Sequence, residues 1–395
     1  MTATHARNAG RNSSIELLRL VSMLMIVGFH FVWYSKPDQG WLTTQDITLK
    51  KIVYELIYRG GGWIGNFIFF TISVWFLCGR DTTLRSNLRR IWIMERELIF
   101  WSVTLCVACI LLRRDGWYVG QSGNATMLVK SLLPLSMDLW WYPTSYAVFL
   151  VLLPFLNKGV RSLGRRMHGV LAAICLIMWG VLALIPKITF DLTKESVFVF
   201  IYWYILITYY RWHMNELTQK QTWSLLAAGV AVEVLFLLAA NVLYEITHKA
   251  PMMQFFLLNH WRIPTMMIGF AIFLLVSRTE FHSRVVNVLA ASSFGVFLIH
   301  YNPYVFDFWT HYVSVEHIFA SRHALGLGAL AIVGVFMICL LLDLMRQGLF
   351  HLTLDRHRGV WFDRLYTWSV CRSGARLSGR QSRAGMVGDD SDLVD

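Results

Sequence analysis

The sequence predicts an all-α polytopic membrane protein with about ten transmembrane helices packed in a single bundle. Hydrophobic residues make up 56% of its 395 residues and charged residues only 15%, and the mean hydropathy is +0.50. Soluble domains carry about 25% charged residues, so this composition excludes an ordinary water-soluble fold. Aromatic residues form a further 15% of the chain, as is typical of proteins whose rings belt both membrane interfaces.

Ten apolar stretches are long enough to be transmembrane helices. They lie at residues 14–35, 62–79, 92–112, 139–157, 167–186, 197–210, 222–244, 260–277, 286–306 and 324–345. The first stretch continues to Tyr34 without a small-residue cleavage site, so we interpret it as a retained helix and not as a signal peptide. The chain is thus divided into an N-terminal segment (1–13), a transmembrane domain (14–345) and a tail (346–395).

The distribution of basic residues predicts the orientation of the bundle. With the N-terminus in the cytoplasm, the cytoplasmic segments hold 22 lysine and arginine residues and the outer loops hold 12. The positive-inside rule therefore favours cytoplasmic N- and C-termini. The excess of basic residues in cytoplasmic segments accounts for most of the net charge of +12, so this charge does not indicate a nucleic-acid partner. The cytoplasmic tail is basic and then acidic, and from about Ser373 it has too little apolar content to fold.

Ionisable side chains inside a membrane are costly, and the first helix carries three: Glu16, Arg19 and His30. Eleven residues are about three helical turns, so Arg19 and His30 share one face about 16 Å apart. Glu16 lies close enough to Arg19 to pair with it. This arrangement would suit a long donor whose anionic head binds Arg19 and whose far end reaches the imidazole. The alternative is a snorkelling arginine and a structural histidine, and the spacing alone favours that alternative.

Two further buried residues are secondary candidates, and one outer group is set aside. His300 should reach a depth similar to that of His30, although a structural role is equally compatible with the sequence. Glu233 lies near the middle of its stretch, where pairing with another helix would account for it. The spacings of the outer acidic and histidine residues match no familiar zinc motif, so we expect a solvated loop and no metal site. These outer residues are Asp307, His311, Glu316, His317 and His323.

Five segments, taken in order, resemble the acyltransferase family 3 membrane proteins over about residues 12–345. The first is S-I-E-L-L-R-L at 14–20 followed by His30, similar to the family's acidic residue, arginine, ten residues and histidine. The others are F-F-T-I-S at 69–73, the basic group Arg85, Arg89 and Arg90, L-W-W-Y at 139–142 through L-P-F-L-N at 153–157, and S-S-F-G-V-F-L-I-H at 292–300. Val74 stands where the family usually has glycine, and Phe297 stands at its tyrosine position.

The resemblance implies a plasma-membrane enzyme that transfers an acyl group, usually acetyl, from cytoplasmic acyl-CoA. The acceptor would be a hydroxyl of a cell-envelope or exopolysaccharide glycan or of its lipid-linked precursor. Acyl-CoA would be a co-substrate, with no permanently bound cofactor. His30 would be the general base, and Arg19, paired with Glu16, would hold the donor or orient the site. The basic group at 85–90 would meet the donor phosphates, with topology-setting charge as its alternative role.

A transporter or flippase of a lipid-linked glycan or small molecule is the rival function. It would also place charges inside a helical bundle. Transporters often contain paired repeats or broken helices, and the sequence indicates neither. Consumption of acyl-CoA distinguishes the two functions.

Overall fold

The protein is all-helical in the parts of the chain that the computed structural model describes. These parts are residues 12–33, 41–42, 44–79, 82–120, 124–185, 196–248, 259–357 and 359–368. Within them no strand occurs. The segment predicted to be unfolded, from about Ser373, lies outside the described residues.

The helices are numbered in chain order. They are α1 (Ser13–Trp33), α2 (Leu49–Leu77), α3 (Leu84–Arg114), α4 (Asn124–Leu132), α5 (Trp141–Ser162), α6 (Gly164–Leu184), α7 (Val197–His213), α8 (Gln219–Thr247), α9 (Ile263–Ser277), α10 (Arg284–His300), α11 (Pro303–Ala320), α12 (Ala324–Leu352) and α13 (360–368). All ten predicted transmembrane stretches fall on these helices. The last long helix continues to Leu352, seven residues past the predicted boundary at 345.

Among the described helices, five are long and apolar enough to cross a membrane: α1, α2, α6, α8 and α12. The bent pair α10 and α11 makes a sixth if it is one span. Helices α7 and α9 have only 17 and 15 residues. In α3, the apolar run between Glu97 and Arg113 is too short to span alone. Helix α5 begins and ends with polar residues.

Helix α1 lies at the centre of the bundle, packed against α2, α9, α10 and α12. The most apolar parts of α1 and α2 are 72% buried, against 22–28% for α6, α8 and α12. Glycines allow α1 and α2 to approach closely, because a Cβ at Gly62 would overlap with Phe29. A Cβ at Gly65 would lie 2.5 Å from the Ser22 carbonyl oxygen. The charged face of α1 is therefore held inside the protein, whereas α6, α8 and α12 present apolar surface outwards.

The chain bends by 79° between α10 and α11, so the prediction of one continuous helix over 286–306 is wrong. Pro303 disfavours a helical conformation for the residue before it. Asn302 is accordingly extended (φ −66°, ψ 126°), and its side chain accepts a hydrogen bond from the Tyr304 backbone N–H. The Trp309 indole N–H donates to the His300 carbonyl at 3.0 Å. The break thus fixes His300 as the last residue of its helix.

Helix α13 docks on the start of α3 through an acidic residue. The carboxylate of Asp363 bonds Arg85 Nη2 at 3.1 Å and Arg89 Nε at 3.2 Å. The hydrogen bond from Arg85, followed by that from Arg89, lowers the pKa of Asp363 below its usual range. Two of the three arginines at 85–90 are therefore engaged with the C-terminal segment.

Candidate active site

Two histidines from distant parts of the chain meet in the core. His30 Nδ1 lies 2.7 Å from His300 Nε2, and His300 Nδ1 lies 2.6 Å from the Val296 carbonyl oxygen. A carbonyl only accepts, so Nδ1 of His300 carries the proton and its Nε2 is an acceptor. His30 Nδ1–H then donates to that acceptor. In the neutral pair, this network assigns the basic lone pair of His30 to Nε2.

Aromatic rings hold the His30 imidazole in place. The Tyr301 ring stacks on it with centroids 4.2 Å apart and planes 7° apart. The Phe306 ring approaches the imidazole edge-on, with centroids 6.4 Å apart. The ring of Phe29, the preceding residue in α1, has its centroid 5.4 Å from that of His30. His30 is 4% exposed and His300 is fully buried. Both the position and the tautomer of His30 are therefore fixed by α10 and by the break that follows it.

His30 lines a small cavity of about 30 Å³, which has room for one or two water molecules. The walls come from α1, α2, α5 and α10 and are mainly aromatic. The lining residues are Met23, Ile26, Phe29, His30, Gly62, Trp63, Asn66, Phe69, Trp141, Tyr142, Phe294 and Phe297. Only three of them carry polar groups other than indole: His30, Asn66 and Tyr142.

The Tyr142 hydroxyl is buried and has no hydrogen-bond partner among the described residues. Buried tyrosine hydroxyls usually find a partner, and an unmet donor is costly. Because Tyr142 belongs to the cavity wall, its hydroxyl is a candidate donor to an oxygen of a bound substrate. Asn66, also buried, adds an amide to the same cavity.

Arg19 lies beyond the cavity, on the side nearer the start of α1. Its Nη1 is 3.6 Å from Glu16 Oε2, and its side chain is 25% exposed. The guanidinium lies 6.0 Å from the centroid of Phe69, which is itself a wall of the His30 cavity. The Phe69 ring therefore stands between Arg19 and the cavity. The Glu16 partner of Arg19 is buried.

The three arginines at the start of α3 are not equivalent. Arg85 and Arg89 hold Asp363, and the Arg85 guanidinium also lies over the Tyr366 ring at 5.3 Å. Arg90 instead donates a hydrogen bond from Nη1 to the Asn87 side-chain oxygen, and both Arg90 and Arg19 interact electrostatically with Tyr146. Arg90 is therefore the member of the trio that shares an electrostatic partner with Arg19.

Comparison with known proteins gives one clear result. The acyltransferase 3 family model, an acyltransferase domain, matches residues 12–344. The chain belongs to this family. No curated protein and no solved structure matches it significantly. The matched range includes both histidines, Arg19 and the whole cavity wall, so the cavity lies within the acyltransferase domain of a membrane acyltransferase.

Glu233 lies outside the His30 cavity of the acyltransferase. It is buried on α8, and Arg262, at the start of α9, interacts with it electrostatically. Neither oxygen of its carboxylate has a hydrogen-bond partner among the described residues. The structure thus separates Glu233 from the two histidines.

Sequence reasoning missed two polar residues of the acyltransferase cavity. Tyr142 stands within the L-W-W-Y segment that resembles the family, and that membership was the available signal. Asn66 lies in an apolar stretch and offers no comparable signal. The expectation of a solvated loop for the outer acidic and histidine residues is wrong in part: Asp307, His311, Glu316 and His317 lie on α11. Asp307 is also half-buried, whereas the other three are exposed.

Proposed function

We propose that this membrane acyltransferase transfers an acyl group, most simply acetyl, from cytoplasmic acyl-CoA to a hydroxyl of a cell-envelope glycan or its lipid-linked precursor. The observation that carries the proposal is the His30–His300 hydrogen bond, which directs Nδ1–H of His30 to His300 and so places the basic lone pair on Nε2. A base with a fixed tautomer is the group that O-acylation needs, because a hydroxyl attacks a thioester slowly unless its proton is removed.

The reaction follows from that arrangement. Nε2 of His30 takes the proton of the acceptor hydroxyl while the oxygen attacks the thioester carbonyl carbon. The tetrahedral intermediate then collapses, the C–S bond breaks, and the imidazolium returns the proton to the leaving thiolate. The products are the ester and free CoA, and no redox partner is needed. His300 acts as a positioning residue, since it fixes the imidazole without touching the reacting atoms.

Tyr142 would stabilise the negative charge on the carbonyl oxygen in this reaction. We expect Tyr142→Phe to lower kcat by about 10²–10³-fold, the usual effect of removing one oxyanion donor, with little change in the KM for acyl-CoA. Release of free thiol from acetyl-CoA measures the rate. Tyr304→Phe is the matched control, because that hydroxyl is also buried without a partner but lies outside the cavity. Equal rates in the two variants would exclude the proposed role.

Arg19 and Arg90 are the best placed cations for the donor phosphates. Both interact electrostatically with Tyr146, and the Arg19 guanidinium lies 6.0 Å from the Phe69 ring, which lines the His30 cavity. The pantetheine arm would then follow α1 from Arg19 to His30. Arg85 and Arg89 would contribute if the Asp363 carboxylate were displaced, and Glu16 would keep the Arg19 side chain oriented.

This path suits a protein of the plasma membrane with both termini in the cytoplasm. Arg19 then lies at the cytoplasmic mouth and His30 nearer the outer surface. Ten crossings would follow if α3, α5, α7 and α9 also traverse the bilayer, sheltered by their neighbours in the bundle. Such shelter would allow those helices to be shorter or more polar than an isolated span.

The deciding experiment deletes the gene and measures the acyl content of the surface glycan by mass spectrometry. We expect loss of one acyl mass per repeat, restored by the wild-type gene but not by His30→Ala. Purified protein should also consume acetyl-CoA in the presence of that glycan. Unchanged acylation with a block in glycan export would instead favour a transporter, for which the broken α10–α11 pair is the structural argument.

A further inference from the structure

A second cavity, of about 370 Å³, lies beside the histidine pair. Its lining residues are Asp138, Leu139, Trp141, Tyr301, Pro303, Phe306 and Asp307. Asp138 and Pro303 are exposed, so this cavity reaches the surface. Its size and its mixture of rings with a few polar groups are typical of a small-molecule binding site.

This outer cavity is connected to His30 by shared side chains. Trp141 lines both cavities. Tyr301 lines the outer cavity and stacks on the His30 ring. A molecule bound in the outer cavity would therefore be one aromatic layer away from the proposed base.

The two carboxylates of the outer cavity are positioned by backbone features. Asp138 adopts φ +48°, a left-handed conformation uncommon outside glycine, asparagine and aspartate. Asp307 rests against Gly120, where a Cβ would lie 2.5 Å from Oδ2. Arg113 donates to the carbonyl oxygens of Val119 and Gly120 at 2.7 and 3.2 Å and so fixes that backbone. Among the residues that the structure describes, no cation belongs to the lining of this cavity.

We propose that the outer cavity is the acceptor subsite and that it binds a neutral sugar residue; this rests on the proposed function. Ionised carboxylates accept hydrogen bonds from hydroxyl groups, and the faces of Trp141, Tyr301 and Phe306 offer apolar surface to the C–H face of a pyranose ring. The two carboxylates of the described lining repel a carboxylated or phosphorylated sugar. The subsite therefore selects the neutral residue of the glycan that becomes acylated.

The test measures binding in the full-length protein, with no requirement for turnover. Detergent-purified wild type and the Asp138→Asn/Asp307→Asn variant are applied to an array of immobilised neutral and uronate-containing bacterial oligosaccharides. Asparagine keeps the size of each side chain and tolerates the left-handed backbone at 138. We expect wild type to retain neutral glycans in preference to anionic ones, and the double variant to lose at least tenfold in that retention.

Controls separate this proposal from the proposed function. Glu316→Gln removes an exposed carboxylate of α11 outside the cavity and should bind glycans as wild type does. Cleavage of acetyl-CoA by water in the absence of glycan should proceed equally in wild type and in the Glu316→Gln variant. No retained neutral glycan, a preference for uronates, or equal retention by the double variant would overturn the subsite. Glycan binding without any acetyl-CoA cleavage would instead overturn the acyl transfer.

Discussion

Replacement of His30 by alanine is expected to lower kcat for acyl transfer by about 10²–10⁴-fold, the range attributed to a positioned general base. The physical reason is specific to Nε2: the neighbouring His300 occupies the other nitrogen at 2.7 Å, so the ring has one basic atom to offer. The rate of thiol release from acetyl-CoA at saturating glycan is the measurement. The KM for acetyl-CoA should change little, since the donor head is proposed to bind near Arg19.

Variants of His300 distinguish a positioning role from bulk stability. His300→Leu removes the acceptor for His30 Nδ1–H and should lower kcat roughly 10- to 100-fold, as for other partners that orient a functional imidazole. His300→Gln can present an amide oxygen to the same N–H and should recover part of that loss. A merely structural His300 would give two variants with equal kcat and equally lowered thermal stability. A His30→Ala protein with wild-type activity would remove the histidine pair from the mechanism.

The positions of the helices follow largely from the sequence, because burial in lipid requires long apolar runs. Nine of the predicted stretches lie largely on one helix each, and the tenth, 286–306, crosses the break between α10 and α11. The central place of α1 agrees with its mainly apolar sequence between Arg19 and His30. The break at Asn302 was missed because the apolar pattern continues to Phe306 and masks the effect of Pro303. Helices α4 and α13 are short, and tertiary contacts such as the Asp363 pair with Arg85 stabilise α13.

The sequence predicts the candidate active site only for residues that lie on the same helix. The eleven-residue spacing places Arg19 and His30 on one face through helical geometry alone, and the Glu16 pair follows from a spacing of three. The contact of His30 with His300 joins residues 270 positions apart, and no local pattern encodes such a distance. The Tyr142 hydroxyl and the outer carboxylates likewise depend on how helices distant in sequence pack together.

A single methyl group added at Gly295 should disrupt the His30–His300 pair, because Gly295 lies on α10, the helix that ends at His300. A Cβ there would overlap with Oδ1 of Asp343, which is fully buried. That carboxylate cannot easily move, because it accepts from Trp101 Nε1 at 2.8 Å and from Arg346 Nε at 2.7 Å. Overpacking of this kind costs about 1–3 kcal/mol. We expect Gly295→Ala to lower the Tm of the purified protein and, by shifting the segment that carries His300, to lower kcat as well.

Gly334→Ala provides the matched control, since that glycine lies within α12 and nothing lies within 4 Å of the added Cβ. Alanine is favoured over glycine in a helix by about 0.5–1 kcal/mol, so this variant should hold or raise the Tm. The clash also predicts non-additivity: Gly295→Ala combined with Asp343→Ala should be more stable than the sum of the single losses, because the second change removes the overlapping oxygen. Arg346 keeps Glu97 as a partner at 3.1 Å in that double variant. Strictly additive losses would mean that Gly295 is required for a reason other than contact with Asp343, and the glycine of the S-S-F-G-V-F-L-I-H segment would lose its steric explanation.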